Sequence, residues 1–348
     1  MNFDPATGGL KCPACGGTKA VETSGSVVEI PFDGAFRTSS ADHEKIAENA
    51  LQVTCSGCGA VVEFQPPEVA GACPFCASAI VAQPKSADPH LAPAAVLPFR
   101  IQKNQAMPLV QQWLGALWFA PSGLQRLAQQ DAVSGVYLPF FTYDATTVTT
   151  YTGNRGDYYY TTETFLEADA QGRQVQRQRQ VQHTRWSPCG GRVQNGFDDV
   201  LICASRSVQR DKIRDADPWD LENLAPYEPA FLAGFKAQRY QVELAEGFEA
   251  AKQIMAPSID NAIRRDIGGD EQQIGSRDVR YFDVTFKHIL LPVWIGAYRF
   301  QGRVFQVIVN ARTGEVQGER PYSAAKIALA VLAVIVIILI FVIASGDR

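Results

Sequence analysis

The sequence lacks the motifs with which many enzymes hold their substrates. It contains no Walker phosphate loop, no G-x-G-x-x-G turn, no H-E-x-x-H helix and no G-x-S-x-G elbow. Strong positive charge is also missing, because the formal net charge is −4. Non-specific nucleic-acid binders are usually basic, so the bulk charge does not favour that class. These absences leave an enzymatic function without residues to support it.

The start of the chain lacks the pattern of a secretory signal peptide. It reads MNFDPATGGLK, with no basic segment followed by an apolar stretch. We therefore expect the N-terminal part to stay in a reducing compartment. Paired cysteines in such a compartment are metal ligands more often than disulfides.

Cysteine, by contrast, is present in a regular pattern. Six of the eight cysteines form three C-x-x-C pairs. Each such turn places two sulfurs on one side of a metal, and two turns complete the tetrahedral site of Zn²⁺. Gly59 suits a tight turn after the second pair, and Pro74 stiffens the third. The sequence therefore predicts a zinc ribbon whose ligands are Cys55, Cys58, Cys73 and Cys76.

The first pair, Cys12 and Cys15, has the same turn pattern but no obvious partner pair. It could bind a second metal with His43 and Asp42. It could instead form the ribbon with the second pair, which would leave the third pair without a metal. It could also be a turn that holds no metal. We assign the ribbon to the second and third pairs and keep Cys12 and Cys15 as candidate metal ligands.

Composition divides the chain into four parts. A segment with few large apolar side chains carries the cysteine pairs, and a bound metal would supply the folding free energy that its small core lacks. A stretch rich in proline and polar residues follows as a linker. The predicted parts are the zinc-ribbon region (1–82), the linker (83–94), an α+β body with a mostly antiparallel sheet (95–322) and a C-terminal transmembrane helix (324–345).

The predicted transmembrane helix rests on the apolar run IALAVLAVIVIILIFVIA, residues 327–344. At 1.5 Å per residue this run covers roughly 27 Å, close to the hydrocarbon thickness of a bilayer. A buried core helix or strand is the alternative. With Arg320 and Lys326 before the run, we expect a tail-anchored, single-pass protein of the bacterial inner membrane with its N-terminal domain in the cytoplasm.

The body shows both helical and strand periodicity. Apolar residues from Asn104 onward recur at helical spacing, and a second short helix is predicted after Ser122. Strands are predicted on both sides of the turn DAQG, forming a long hairpin. A long helix is predicted from 245 to a stop at Gly268, with a possible kink at Pro257. Three antiparallel strands are predicted between 279 and 316.

One predicted strand, 173–185, concentrates basic residues at alternate positions. Its odd positions carry four arginines and His183, so one face of the strand would be strongly basic. This face could contact lipid head groups, nucleic acid or an acidic partner. It could equally be a solvated strand paired against acids such as Glu163 and Glu167.

Two cysteines stand outside the pairs. Cys189 follows His183 by six residues, but nothing specifies a Cys–His nucleophile or an oxyanion hole. Cys203 lies in an apolar strand and is most simply a buried small residue.

The motifs CPACGG, CSGCGA and CPFCAS, followed by LPFR, GVYLPFFTYDA and LLPVWIGAYRFQGRVFQVIVNARTGEVQGERP, resemble a known family. It is a bacterial family of membrane-anchored proteins with a transcription factor IIB-type zinc ribbon, often labelled primosomal protein N′ (replication factor Y)-like helicase. The resemblance covers nearly the whole chain and implies an association with PspA-like or SPFH-domain proteins in envelope stress. A helicase would need a phosphate-holding loop, which is missing. Family members often have a further cysteine pair near the first turn, which this chain lacks.

The sequence as a whole predicts a scaffold rather than an enzyme. The ribbon would dock partner proteins at the cytoplasmic face of the membrane, where anchoring raises their effective concentration. The alternative is a membrane-tethered, nucleic-acid-binding ribbon, supported by the arginine strand and opposed by the acidic total charge. An enzyme would need a cleft that joins Cys189, His183 and an oxyanion donor.

Overall fold

The computed structural model describes most of the chain outside a few loops. All statements on structure below refer to the described residues, which are 1–23, 25–35, 51–55, 57–64, 70–76, 78–81, 91–116, 133–168, 174–208, 212–213, 216, 218–300, 303–319 and 323–346.

Short strands dominate the N-terminal part. The first three strands form a small antiparallel sheet of their own, and the next strand joins the main sheet. The elements are β1 (Asn2–Asp4), β2 (Gly9–Lys11), β3 (Thr18–Ala20), β4 (Ile30–Pro31), α1 (Phe32–Ala35), β5 (Leu51–Thr54), β6 (Val61–Phe64), β7 (Ala70–Ala72) and β8 (Ala79–Val81).

The rest of the chain contains three very long strands and two long helices. Its elements are β9 (Ala95–Val96), α2 (Lys103–Gly115), β10 (Val133–Ala168), β11 (Gln174–Cys203), β12 (Ala225–Pro226), β13 (Lys236–Gln238), α3 (Leu244–Ile267), β14 (Glu271–Phe300), β15 (Arg303–Asn310), β16 (Val316–Gly318) and α4 (Ala324–Gly346).

Strand β10 lies at the centre of the main sheet. One of its edges pairs antiparallel with β14, from Val133↔Gly296 to Gly156↔Glu271. Its other edge pairs in parallel with β13 and then antiparallel with β11, from Phe140↔Cys203 to Ala168↔Gln174. Beyond Gly156 only β11 accompanies it. Residues 157–168 and 174–185 therefore form a two-stranded projection about 40 Å long, which we call the arm.

Two bulges bend the long strands at one level. The register of β10 shifts against β11 between Tyr143 and Ala145, and against β14 between Asp144 and Thr146. Asp199 and Asp283, in the two partner strands, adopt a φ of 50° there. Positive φ is uncommon outside glycine but is tolerated by aspartate. The bulges aim polar side chains of three strands at one place.

Helix α3 covers one face of the three long strands. Its apolar residues recur every three or four positions, which is the spacing that puts them on one face of a helix. Pro257 lies within the helix, and Gly268, with a φ of 64°, ends it. The buried residues of this face are Phe248, Ala251, Met255, Ile259, Ile263 and Ile267.

Several predicted elements are found. The long helix is α3, the predicted hairpin is β10–β11, and the three antiparallel strands are β14, β15 and β16. Helix α2 begins two residues earlier than predicted, because its N-cap is Gln102 rather than Asn104, and the N–H of Gln102 donates to Gln105 Oε1 at 2.9 Å. The helix predicted after Ser122 and the turn DAQG lie outside the described residues.

The predicted α+β class is wrong, because the fold is mostly β. The first strand of the predicted hairpin, 157–168, continues without a break from the β-rich run that precedes it, 135–152. Both belong to the single strand β10, because Gly153 and Gly156 lie inside the ladder rather than at turns. A Cβ at Gly153 would lie 2.5 Å from the backbone oxygen of Gln273, so glycine here permits close strand pairing.

The membrane prediction is also wrong on the described residues. The C-terminal run forms helix α4, but no helix in the described part of the chain is long and apolar enough to cross a membrane. The predicted transmembrane helix, tail anchor and single-pass inner-membrane location are corrected accordingly.

The packing of α3 predicts a matched pair of mutational effects. Ile263 is fully buried, whereas Ile254 on the same helix is 51% exposed. We expect Ile263→Ala to lower the free energy of unfolding by about 2–5 kcal/mol, because it leaves a cavity under the sheet. Ile254→Ala should change it by no more than about 0.5 kcal/mol. Urea unfolding followed by circular dichroism measures both, and equal effects would contradict the described packing.

Candidate metal centre

The second and third cysteine pairs each lie in a tight turn between two short strands. Cys55 follows β5, and its N–H donates to the carbonyl of Ala60 at 2.8 Å. Gly59, with a φ of 73°, donates to the carbonyl of Cys55 at 2.8 Å. Between β7 and β8, the N–H of Cys73 donates to the carbonyl of Ser78 at 2.8 Å. Both turns thus hold their cysteines in the geometry of a metal-binding ribbon.

The two turns face each other and bring four sulfurs together. The Sγ atoms of Cys55 and Cys76 lie 3.5 Å apart, and those of Cys58 and Cys73 lie 3.7 Å apart. All four lie within 4.8 Å of one another. Four thiolates at about 2.3 Å from a tetrahedral metal would be about 3.8 Å apart. This group of Cys55, Cys58, Cys73 and Cys76, the cysteine cluster, could hold a metal ion.

A glycine permits the close approach of the two turns. A Cβ built on Gly57 would lie 2.5 Å from Ser78 Oγ and 3.4 Å from Cys76 Sγ. The N–H of Gly57 also points to Cys55 Sγ at 3.4 Å. Any larger residue at this position would push the third pair away from the second.

Burial and hydrogen bonds set the charge state of the sulfurs. Three cysteines of the cluster are buried, and Cys58 is exposed. Burial raises the pKa of Cys73 to about 11, against the lowering effect of the N–H groups of Phe75 and Cys76. Burial also acts to raise the pKa of Cys76, but hydrogen bonds with Ser78, Cys58 and Cys55 outweigh it and lower that pKa to about 7. A bound cation would favour the thiolate at every one of these sulfurs.

The cysteine cluster belongs to the core of the main sheet. Strand β6 pairs antiparallel with β13, with Val62 opposite Gln238. Phe75, between the cysteines of the third pair, is fully buried, and its carbonyl accepts a hydrogen bond from Gln306 Nε2 at 2.6 Å. Apolar residues of β10 and β14 lie in the same buried group. Loss of the cluster would therefore disturb the main sheet as well as the ribbon.

The first pair has the same local structure as the second. The N–H of Cys12 donates to the carbonyl of Gly17 at 2.8 Å, and Gly16, with a φ of 72°, donates back to Cys12 at 2.9 Å. The N–H groups of Cys15 and Ala14 lower the pKa of the Cys12 thiol. The turn is thus shaped for a metal and favours a thiolate.

The described residues supply no third ligand to Cys12 and Cys15. His43 and Asp42, proposed from the sequence, lie outside the described residues. The arrangement in which the first and second pairs share one metal is not found, because the second pair meets the third.

No family model and no solved structure matches this chain. The chain is similar to the uncharacterized protein YdjG of Bacillus subtilis (strain 168), with 25% identity over 338 residues. The likeness covers 94% of this chain and 89% of that protein. The similarity therefore extends over nearly the full length of both chains, and it carries no statement of activity.

The basic face predicted on strand 173–185 is neutralised within the arm. Arg179 forms an ion pair with Glu163 at 3.0 Å, and Arg177 with Glu167 at 2.9 Å. Arg185 lies over the ring of Tyr159 at 5.2 Å. The solvated, paired strand is thus the arrangement observed, while Arg173 lies outside the described residues.

The remaining sequence candidates do not form a Cys–His pair. Cys189 and His183 lie six positions apart on β11, about 20 Å along a strand. His183 Nε2 is 2.8 Å from Thr161 Oγ1, and its ring stacks on Tyr159. Cys203 is buried, as expected of a small core residue.

A charged group that the sequence analysis missed lies at the level of the bulges. Lys287 Nζ is 2.7 Å from Asp199 Oδ1 and 3.1 Å from Glu29 Oε1. The nearby acids Glu29, Asp144 and Asp198 have their carboxylates within 4.8 Å of one another. Lys287 offsets part of the negative charge of these acids. The sequence signal for this group is one charged residue in each of two otherwise apolar strand segments, Asp144 in FTYDA and Lys287 in TFKHILL.

The acids of this group differ in their protonation. Burial raises the pKa of Asp144 to about 6. The hydrogen bond from Lys287 lowers the pKa of Glu29. For Lys287, burial acts to lower the pKa, but hydrogen bonds to Asp199 and Glu29 outweigh it and raise the pKa.

The raised pKa of Asp144 predicts a pH dependence of stability. Native Asp144 keeps a proton up to about pH 6, whereas the unfolded side chain loses it near pH 4. The contribution of Asp144 to the free energy of unfolding therefore falls as the pH rises from about 4 to about 6. We expect the free energy of unfolding of the wild type, relative to Asp144→Asn, to fall by roughly 1–2 kcal/mol as the pH rises through this range, after allowance for solvent screening. Urea unfolding at several pH values measures it.

Asp278→Asn is the matched control, because Asp278 is exposed and lies outside this charged group. It should keep the pH dependence of the wild type. Parallel curves for the wild type and Asp144→Asn would contradict the raised pKa.

Proposed function

We propose that this protein is a scaffold that docks partner proteins and that a structural Zn²⁺ in the cysteine cluster stabilises it. The observation that carries the proposal is the meeting of four sulfurs in a largely buried site. Four thiolates in a tetrahedral arrangement select zinc or an iron–sulfur cluster. Such a site leaves no open position for a substrate, which favours a structural role over a catalytic one.

The position of the cluster explains what the metal would do. The ribbon strands are short, and the metal would hold them against β13 and the buried residues of β10 and β14. Metal binding would then contribute directly to the free energy of folding of the main sheet. In this proposal zinc fixes the shape of the scaffold.

Zinc content and stability together test the metal site. We expect Cys55→Ser and Cys73→Ser each to lose about one zinc ion per chain and to lower the melting temperature, because three thiolates hold the ion weakly. Plasma mass spectrometry and thermal unfolding provide the two measurements. Iron in place of zinc would reject the assigned metal.

Cys189→Ser is the matched control, because it makes the same chemical change outside the cluster. It should keep the zinc content of the wild type. The double variant Cys12→Ser, Cys15→Ser reports separately on the first pair. Unchanged metal in both Cys55→Ser and Cys73→Ser would reject the metal site.

The arm offers a surface on which a partner protein can dock. Tyr158 and Tyr160 of the arm and Trp186 at its base lie on the same face of the sheet, and each is at least 37% exposed. Exposed tyrosine and tryptophan are the residues that contribute most to protein interfaces. Of the three described arginines on the other face, Arg177 and Arg179 already form ion pairs with acids of the arm, which disfavours nucleic acid as the partner.

Partner binding tests this second part of the proposal. The family resemblance makes a PspA-like or SPFH-domain protein from the same genome the first partner to examine. We expect Tyr160→Ala combined with Trp186→Ala to weaken its binding about tenfold or more, because both rings would be buried. Titration calorimetry with purified proteins measures this. Ile254→Ala, which removes an exposed apolar side chain elsewhere, should not alter the affinity, and binding unaffected by the arm variant would reject this face.

A further inference from the structure

We propose that the arm pairs with the arm of a second copy of this chain, edge to edge along β10, in a two-fold symmetric dimer. The pairing would turn two two-stranded projections into one four-stranded antiparallel sheet. This inference goes beyond the proposed scaffold function and does not depend on zinc.

The first observation is an open strand edge. Strand β14 begins at Glu271 opposite Gly156, and no described strand pairs with that edge of β10 over residues 157–168. The N–H of Tyr158 points to this side, because it donates to the carboxylate of Asp270 at 2.6 Å. Direction alternates along a strand, so the backbone groups of Tyr160, Thr162 and further even positions also point outward.

The second observation is that the arm has little to stabilise it alone. A two-stranded hairpin is marginally stable in water unless it packs on something. Most side chains of the arm are exposed on both faces, including Leu166 (66%) and Val175 (42%). Further strands would supply the missing hydrogen bonds and side-chain contacts.

The third observation is that this edge lacks the usual protection against pairing. Natural edge strands carry lysine, proline or a bulge to prevent association. Residues 157–168 read DYYYTTETFLEA, with no lysine or proline, and their register with β11 is regular. Tyrosine, phenylalanine and threonine are also the residues that strands favour. The outer edge of β11, with its arginines and glutamines, is less suited to pairing.

The fourth observation is the charge of the arm. The acids Asp157, Glu163 and Glu167 are balanced by three arginines, so three negative and three positive charges give zero. Arg177 and Arg179 already form ion pairs with acids of the same arm. Two arms can therefore approach without net repulsion, although the whole chain carries a formal charge of −4.

A register with its two-fold axis at Thr162 keeps the two Glu163 side chains apart. A two-fold axis at Thr162 would place Tyr159 opposite Phe165 of the second copy, which is a favourable cross-strand aromatic pair. Glu163 would then face Thr161 rather than another Glu163. The backbone hydrogen bonds between the copies would run from Tyr160 to Thr164, because the N–H of Tyr158 is already bonded to Asp270.

Proline substitution at matched positions tests the edge. The N–H of Thr162 points away from β11, so Thr162→Pro removes an outward donor and keeps the hydrogen bonds of the hairpin. Gln180, opposite Thr162, has its N–H on the outer edge of β11, and Gln180→Pro is the control. We expect sedimentation to show a wild-type dimer, a dimer for Gln180→Pro, and a dissociation constant raised roughly tenfold or more for Thr162→Pro.

A cross-link tests the register and does not depend on the stability of the proline variant. In a hydrogen-bonded antiparallel pair the Cα atoms lie about 5.5 Å apart, within the range of a disulfide. Under a mild oxidant, the zinc-loaded Thr162→Cys variant should form covalent dimers, and Gln180→Cys should not. Cross-linking of both variants alike would reject the assigned edge.

The remaining outcomes are decisive as well. A wild-type chain that stays monomeric at micromolar concentration overturns the inference. A monomer that binds another protein, and loses it only in Thr162→Pro, would assign this edge to a foreign strand and overturn self-pairing. Zinc content should be unchanged in Thr162→Pro, so failure of this inference is distinct from failure of the proposed function.

Discussion

The hydrogen-bond ladder of β10 is the constraint on which the rest of the structure depends. This strand pairs with β14 along one edge and with β13 and β11 along the other. Helix α3 packs on the face that these strands create. A shift of one residue in the register would turn Phe141 and Tyr143 from the core side to the opposite side of the sheet. The same shift would separate Asp144 from Lys287, so the charged group depends on the register too.

The cysteine cluster extends this ladder into the N-terminal part. Strand β6 joins the sheet through β13, and the sulfurs lie where the ribbon meets the core. Short strands such as β5 to β8 cannot bury enough apolar surface to be stable by themselves. In the proposed function, the metal compensates for this shortage and ties the ribbon to the long strands. The arm differs from the ribbon, because it projects from the sheet and most of its side chains are exposed.

Charge is compensated differently in three parts of this molecule. The bulges at Asp144 place Lys287 among carboxylates, so a lysine offsets part of the negative charge inside the sheet. At the cysteine cluster, the balance would come from a bound cation. In the arm, the charges are balanced across strands on an exposed surface, where each ion pair contributes little to stability. The exposed arm is therefore free to gain stability from another protein chain.

The sequence by itself determined the features that a few neighbouring residues encode. The three cysteine turns, the apolar face of α3 and the strands β14 to β16 follow from local hydrogen bonds and from periodicity. The meeting of the second and third cysteine pairs was predicted as well, but only the tertiary structure placed this cluster against β13 and the core of the main sheet. It also decided that 133–168 is one strand, since a glycine such as Gly153 marks a turn or a close strand contact depending on its partners. The apolar run of helix α4 by itself predicted a transmembrane helix, which the described residues do not support. The group around Lys287 brings residues from four distant segments together, and such contacts depend on the register of long strands rather than on any short motif.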